Sequence, residues 1–182
     1  ALTGAEALLR WNDESAGSVD TAAIVATAER TGLIVPLGRW ILAETIRQAV
    51  CLRDAGVLGD GMTVSVNISC HQLQSDDFVP DLVAMLDGSG LPPGSITVEL
   101  TESAVMSDLF QARRRLRELE AYGIPLSIDD FGTGHSSLAY LRDLPVKELK
   151  LDRLFVADIG LDPVADVILR GVIDIAMGLG LQ

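Results

Sequence analysis

The sequence predicts an α/β fold in which parallel strands are joined by crossover helices. Three observations support this prediction. Short segments alternate polar and apolar residues, helical patterns fill the intervals between them, and most of these segments recur about every 30 residues, which is the length of one βα unit. A (β/α) barrel and an open doubly wound sheet both explain this rhythm. No G-x-G-x-x-G segment follows the first strand, which weighs against a dinucleotide-binding sheet.

The composition is that of one folded domain. The chain has 182 residues, of which 48% are hydrophobic and 22% are charged, so disorder is not expected. The chain has 14 basic and 26 acidic residues, and the net charge of −12 argues against binding of DNA or RNA through a basic surface. We expect no membrane span and no signal peptide, and therefore a cytoplasmic domain whose parent protein could be membrane-anchored. Cys51 and Cys70 lack metal-ligand spacing and are expected to be reduced, part-buried thiols.

Strands are predicted wherever polar and apolar residues alternate with a period of two residues. The clearest alternation lies at residues 63–69 and 96–101, and two shorter versions follow later in the chain. The first candidate, residues 5–10, contains Ala and Leu, so this segment is also compatible with a helix. The predicted strands are residues 5–10, 63–69, 96–101, 126–129 and 149–152.

Helices are predicted from their start and stop signals. Asp20 can cap a helix that ends at Gly32, and Pro36 suits the first turn of a long helix. Gly123 stops a later helix, and Asp162 followed by proline opens the last one. The predicted helices are residues 21–31, 36–56, 76–86, 108–122 and 162–178.

Each predicted strand carries one polar side chain that opposes apolar neighbours. Asn67, for example, points away from the face that Val66 and Ile68 share. A solvated strand face would explain one such residue, but five of them on strands covered on both faces favour a shared interior. The carboxyl ends of parallel strands are where barrel enzymes hold their chemistry. The residues expected to converge there are Glu6, Asn67, Glu99, Asp129 and Lys150.

This residue set predicts a site for hard cations. Three carboxylates in one interior would repel each other and raise their pKa values, and a bound cation removes that cost. Carboxylate and amide oxygens suit Mg²⁺, Mn²⁺ or Ca²⁺ rather than Zn²⁺. Asp130, next to Asp129, could reach a second ion, and two ions about 4 Å apart are the usual device for cleaving phosphodiesters. Lys150 fits as a charge stabiliser, as a donor that orients water, or as a structural ion-pair partner.

Several segments also carry a family signature. The run E-A-L-L-R-W at residues 6–11 resembles the motif that gives its name to the EAL domains, the cyclic-di-GMP phosphodiesterases. Five more segments resemble family motifs in the same order, and the resemblance extends over essentially the whole chain. They are T-G-L-I at 31–34, N-I-S at 67–69, E-L-T-E-S at 99–103, D-D-F-G-T-G-H-S-S-L at 129–138 and K-L-D-R at 150–153.

The resemblance implies a TIM-like (β/α) barrel with one irregular strand. It implies a single EAL domain over residues 1–182, incomplete at both ends, because the family's first strand and its Glu-Gly-Val-Glu region are missing. Glu102 is expected to help hold the site and its loop. The implied metal ligands are Glu6, Asn67, Glu99, Asp129 and Asp130, with Asp130 serving the second metal. The implied catalytic residues are Lys150, Asp130 and Glu6, and the implied substrate contacts are Leu9, Arg10 and Asp152.

The same resemblance implies an activity and partners. We expect Mg²⁺- or Mn²⁺-dependent hydrolysis of cyclic-di-GMP to linear pGpG, a homodimer formed through the loop at residues 132–137, and fused cyclase or sensory domains in the parent protein. The alternative is a non-catalytic module that binds the nucleotide or a protein. The missing glutamate predicts that residues 1–182 alone do not cleave the nucleotide. His135 stands where the family usually has Tyr, a change expected to be neutral, and His71 is expected to start a helix rather than bind metal.

Overall fold

The computed structural model describes residues 3–13, 17–59, 61–132, 138–157 and 159–182. Five of its strands form one parallel sheet in the order β1-β4-β5-β6-β7, and the other two form an antiparallel hairpin. The strands are β1 (Gly4–Ala7), β2 (Trp11–Asp13), β3 (Gly17–Val19), β4 (Thr63–Asn67), β5 (Ile96–Thr101), β6 (Leu126–Phe131) and β7 (Glu148–Leu151).

Seven helices accompany these strands within the described ranges. Those predicted from the sequence are confirmed with small shifts at their ends, and the expected signals are in place. The Asp20 side chain accepts a hydrogen bond from Ala22 N, and Gly32 and Gly123 adopt left-handed conformations at helix ends. The helices are α1 (Thr21–Thr31), α2 (Ile34–Asp54), α3 (Cys70–Gln74), α4 (Phe78–Ser89), α5 (Glu102–Met106), α6 (Leu109–Tyr122) and α7 (Pro163–Gly178).

Three short elements were not among the helices and strands whose ranges were predicted, although a helix start was expected at His71. The helix α3 begins with a capping box, in which Ser69 and Gln72 bond each other's backbone, and its Ser-x-x-Gln pattern is visible in the sequence. The helix α5 begins after Thr101, whose hydroxyl accepts from Ala104 N. The hairpin of β2 and β3 pairs three residues with three, too few for an alternation to stand out.

The fold is an incomplete TIM-like barrel. The sheet curls, and its strand order follows the chain order throughout, whereas a doubly wound sheet reverses direction at a switch point. This topology decides between the two architectures that the sequence left open. The core lies between the sheet and the helices α2, α4 and α6, where Leu82, Leu86, Leu116 and Val98 are fully buried.

The edge beyond β7 carries the last residue of the chain. Gln182 N donates to Lys147 O, and Leu149 N donates to Gln182 O, both at 2.9 Å. This is the slanted pattern of a parallel ladder. The preceding helix α7 has an exposed apolar surface that includes Val167, which is 70% exposed. No helix in the described ranges combines the length and the apolar character needed to cross a bilayer.

Candidate active site

The polar residues of the parallel strands lie on one face of the sheet, at successive levels. Strand pairing places Glu6 beside Ser65, two residue pairs below the pairing of Asn67 with Glu99. Asp129 pairs with Thr101, two residue pairs above Glu99. The site is therefore a diagonal of side chains across the concave face. Its lower part borders a cavity of about 600 Å³ lined by Glu6, Ser65 and Lys150 among others.

Glu99 and Lys150 form the buried half of this site. The Glu99 side chain is completely buried, and its Oε1 accepts a short hydrogen bond from Lys150 Nζ. Burial alone would lower the pKa of Lys150, but the hydrogen bond to Glu99 and the negative charges of Glu99, Asp129 and Glu6 raise it overall. The ammonium is therefore positively charged at neutral pH. Glu99 Oε2 is buried without a hydrogen-bond partner among the described residues.

Glu6 and Asn67 form the exposed half. Asn67 Nδ2 donates to Glu6 Oε1 at 2.9 Å, and both side chains reach solvent. β1 is an edge strand in the described sheet, which explains the exposure of Glu6. The structure therefore brings four of the predicted residues together as two hydrogen-bonded pairs.

Asp129 and Asp130 lie where β6 becomes irregular. The predicted strand ended at Asp129, but β6 continues through Phe131, with a register shift between Ile128 and Phe131. Asp130 itself has a φ of 52°, in the left-handed region that non-glycine residues rarely adopt. This conformation interrupts the strict alternation of side chains that an extended strand would give to two adjacent carboxylates. Partial burial raises the pKa of Asp130, and the negative charges of Asp129 and Asp152 raise it further.

The turn after Asp130 is held from two sides. Gly132 N donates to Glu102 Oε2 at 2.9 Å, and the Glu102 side chain is buried at the start of α5. Gly132 has a φ of 97°, and a Cβ built on it would lie 1.9 Å from Cε2 of Phe155. The contact of Glu102 matches its expected role in holding the loop. The contact of Phe155 was not predicted, because a ring over a glycine leaves no pattern in the sequence.

The predicted substrate contacts fall in two places. Leu9 and Arg10 line a cavity of about 540 Å³ that also touches Asn67 and Thr101, and Arg10 Nη1 donates to Leu9 O at 2.9 Å. Asp152 is not part of that cavity's described wall. Its Oδ1 instead accepts from Leu154 N at 2.8 Å and caps a short 3₁₀ helix at Arg153–Phe155.

The described residues contain no group of three or more His, Cys, Asp or Glu side chains close enough to hold a metal ion. The donor set nevertheless fits a hard cation. Glu99 Oε2 is a buried carboxylate oxygen that no donor satisfies, and such an atom is costly unless a partner reaches it. The residues that could hold a cation are Glu6, Asn67, Glu99, Asp129 and Asp130.

The remaining sequence predictions have different outcomes. His71 is the second residue of α3, in agreement with a role at the helix start, and its Nδ1 lies 3.4 Å from Cys70 Sγ. His135 and residues 133–137 of the predicted dimer loop lie outside the described residues. Cys51 is exposed and Cys70 half-buried, so the expectation of part-buried thiols is correct for Cys70 alone.

The sequence analysis missed Ser127 as a residue of the site. Ser127 is fully buried beside Glu99, its Oγ has no hydrogen-bond partner among the described residues, and it shares the face of Asp129.

Comparison with known proteins identifies the family to which the chain is similar. The EAL domain family profile matches residues 1–182. The signalling protein YkoW of Bacillus subtilis is 40% identical over 181 residues, which is 100% of this chain and 22% of that protein. The cyclic di-GMP phosphodiesterase PdeR of Escherichia coli is 37% identical over 97% of this chain and 26% of its own length. The chain thus spans about a quarter of the length of these curated relatives.

A solved structure gives the same assignment. The PaMucR phosphodiesterase in complex with c-di-GMP superimposes with a TM-score of 0.89 and 37% identity, covering 97% of this chain and 70% of that one. The bifunctional diguanylate cyclase/cyclic di-GMP phosphodiesterase MucR of Pseudomonas aeruginosa is 36% identical over 100% of this chain and 26% of that protein. The whole-chain profile match, the motif order and the shared half-barrel agree. The chain belongs to the EAL domain family.

Proposed function

We propose that this chain belongs to a metal-dependent phosphodiesterase domain that hydrolyses cyclic-di-GMP to linear pGpG. The observation that carries the proposal is the buried Glu99, which has Lys150 on one oxygen and no donor on the other. A fully buried carboxylate with a free oxygen is poorly suited to a structural role and well suited to binding a cation. Membership of the EAL family and similarity to PdeR and MucR support the same activity.

The proposed ligands are oxygen donors for Mg²⁺ or Mn²⁺. Glu6, Asn67, Glu99 and Asp129 would hold one ion, and Asp130 would serve a second. When bound, such ions lower the pKa of a coordinated water and neutralise charge on the phosphate oxygens. The left-handed backbone of Asp130 supports a role for this residue beside Asp129, because it interrupts the alternation that would send the two carboxylates to opposite faces of the sheet.

The reaction is hydrolysis of one of the two phosphodiester bonds. A water oxygen forms a bond to one phosphorus and the bond from that phosphorus to the ribose 3′-oxygen breaks, while one proton of the water passes, in the net reaction, to the leaving 3′-oxygen. Negative charge grows on the phosphate oxygens as the new bond forms. Lys150, which remains protonated because its pKa is raised, contributes a fixed positive charge beside the reacting group and a donor that orients the water.

Arg10 and Leu9 are proposed to bind the substrate. They line the cavity of about 540 Å³ that also reaches Asn67, so a nucleotide seated there would border the site. Arg10 bonds only a backbone carbonyl in the described structure, and that contact can be exchanged for a phosphate or a guanine edge. Asp152 is proposed to act beside Asp130, whose charge it influences, rather than in this cavity.

The test is hydrolysis of cyclic-di-GMP by the full-length protein with Mg²⁺, with Mn²⁺, with Ca²⁺ and with excess chelator. We expect turnover with Mg²⁺ or Mn²⁺, inhibition by Ca²⁺, whose looser coordination positions water poorly, and none with chelator. Chromatography should show pGpG as the first product. Full turnover in excess chelator would refute the metal requirement.

A second candidate is a domain that binds the nucleotide without cleaving it. The direct ion pair of Lys150 with Glu99 favours it, because this pair occupies one of the proposed ligand oxygens. Tight binding of cyclic-di-GMP without pGpG formation under any metal condition would establish this second function.

We also propose a cytoplasmic location, a homodimer formed around residues 132–137 and a fused cyclase or sensory domain in the parent protein. Size measurement of the full-length protein with and without the nucleotide tests the dimer.

A further inference from the structure

The ring of Phe155 lies directly against the backbone of Gly132. A Cβ at Gly132 would stand 1.9 Å from Cε2 and 2.2 Å from Cζ of that ring, so no side chain fits at this position without moving the ring. Gly132 also has a φ of 97°, which side chains rarely tolerate. Both the sterics and the backbone conformation therefore require glycine here.

A closed circuit, that is, a series of contacts that starts and ends at the end of β6, fixes the position of the Phe155 side chain. Asp152 N donates to Phe131 O at 3.4 Å, which ties the end of β7 to the end of β6. The Asp152 side chain caps the short helix that carries Phe155, and Phe155 N donates to Asp152 O at 3.0 Å. The ring then returns to Gly132, the residue after Phe131. Its position is thus set by β6 itself.

This circuit encloses the irregular end of β6. Phe131 is anchored in the core with 4% of its surface exposed, and the residues on either side of it, Asp130 and Gly132, both have positive φ. Gly132 adopts its positive φ without steric cost, but Asp130 is strained in the left-handed region and keeps that conformation only while its neighbours hold it. Glu102 holds the Gly132 amide on one side, and Phe155 covers Gly132 on the other.

We propose that Phe155 is a positioning residue, whose ring clamps Gly132 and thereby keeps Asp130 in its left-handed conformation. The clamp acts on the proposed phosphodiesterase through Asp130 and so rests on the proposed function. Phe155 does not touch the reacting atoms. Without the ring, Gly132 gains room, the segment relaxes, and the Asp130 carboxylate leaves the position from which it serves the reaction.

The first test is kinetic and uses the full-length protein. Phe155→Ala should lower kcat for cyclic-di-GMP by about 10- to 100-fold while KM changes less than about threefold, because misplacement of a reacting group affects the transition state more than binding. Phe155→Leu keeps an apolar side chain over Gly132 and should restore most of the rate. The matched control is Leu154→Ala on the same short helix, where the side chain is 69% exposed and the rate should not change.

The second test does not depend on hydrolysis. Hydrogen exchange at the Gly132 amide should be at least about tenfold faster in Phe155→Ala than in the wild type, while amides of β5 keep their protection. Leu154→Ala should leave both rates unchanged. If the wild-type protein does not hydrolyse cyclic-di-GMP, the proposed function fails, and this exchange experiment alone decides on the clamp.

Two results would overturn the inference. One is a Phe155→Ala variant in which kcat and the protection of the Gly132 amide both stay at wild-type values. The other is a loss of kcat matched by an equal loss of protection in β5, which would make Phe155 a general stabilising residue. A double variant adds a check on the steric part. Gly132→Ala should reduce the rate by a smaller factor when Phe155 is already Ala, since the ring that it meets is gone.

Discussion

The two pairs of side chains in the candidate site have similar chemistry and opposite surroundings. Glu99 is fully buried, and its partner Lys150 is 29% exposed. Glu6 and Asn67 bond each other at 2.9 Å on the open side of the sheet, where both reach solvent. An electrostatic interaction is much stronger where water is excluded, and an unpartnered charge is correspondingly more costly there.

The difference in burial determines which half of the site depends on its own protein contacts. The buried half contains the Glu99 carboxylate, which is costly to bury without a partner. Lys150 therefore contributes both to folding and to the proposed chemistry. The exposed half can exchange its internal hydrogen bond for water or a ligand at little cost, because solvent satisfies either partner. We therefore expect substitutions in the two halves to differ in their effect on stability and to converge in their effect on hydrolysis.

The largest effect is expected at Asp129 and Asp130, on the strand that lies between those of Glu99 and Lys150. Asp129→Asn should abolish cyclic-di-GMP cleavage, because a neutral amide replaces a charged ligand. Asp130→Asn should lower the single-turnover rate by about 10³-fold, roughly 4 kcal/mol of transition-state stabilisation, while keeping much of the substrate affinity. Single-turnover cleavage and nucleotide binding by the full-length protein measure both quantities.

The control for these substitutions is Asp174→Asn on the exposed face of α7, which should leave the rate unchanged. Near-normal cleavage by the Asp129 or the Asp130 variant would remove that residue from the site.

The next effect concerns stability and separates the buried pair from the exposed pair. Lys150→Met leaves the Glu99 charge buried without its partner and should lower the free energy of unfolding by about 3 kcal/mol. Glu6→Gln should lower it by less than about 1 kcal/mol, because that side chain is solvated. Native-state hydrogen exchange of the β5 amides in the full-length protein measures the free energy for this region alone.

Lys147→Met is the matched control, since this exposed lysine precedes the same strand and should have no effect. Equal losses in Lys150→Met and Glu6→Gln would contradict the distinction between the two halves.

The smallest effect lies on the outer, exposed side of β1, at Glu44 of α2. Its carboxylate accepts hydrogen bonds from Arg47, at 2.6 and 2.8 Å, and from Gln48, at 2.8 Å, and these bonds lower the pKa of Glu44 from 4.5 to about 2. A lowered pKa means that the ionised form stabilises the fold. That contribution is complete above pH 4.5 and is lost as the pH falls towards 2.

Carboxyl-carbon NMR titration of Glu44 measures this pKa directly. In Glu44→Gln the contribution is absent, so the stability difference from the wild type should disappear at low pH. A titration midpoint near 4.5 would show that the pair with Arg47 does not persist in solution.

Much of the fold was predictable because its signals are local. Alternation located β4 and β5 within two residues, and caps such as Asp20 and Gly123 fixed helix ends. The order of the strands was not predictable from these signals, since alternation does not say which strands pair. A barrel and a doubly wound sheet have the same elements and differ only in topology.

The candidate site was predictable as a set of residues, and less so as a geometry. Parity along the strands places Glu99 and Asp129 on one face, as the pairing confirms. The left-handed conformation of Asp130 and the ring of Phe155 on Gly132 arise from contacts between distant segments, for which no residue pattern codes. Ser127 was missed because a serine in a strand is ordinary unless its burial is known.

The pairing of β1 with β4 has a consequence for how the site assembles during folding. Gly4 pairs with Thr63, about 60 positions along the chain, whereas Val64 pairs with Ile96 after about 30, so closing the first of these loops costs about 0.5 kcal/mol more in chain entropy. We therefore expect the sheet to grow outward from β5 and β6, with β1 joining late. Glu6, the residue that β1 contributes, then arrives last, so that a half-folded chain displays Glu99 and Lys150 without a competent site.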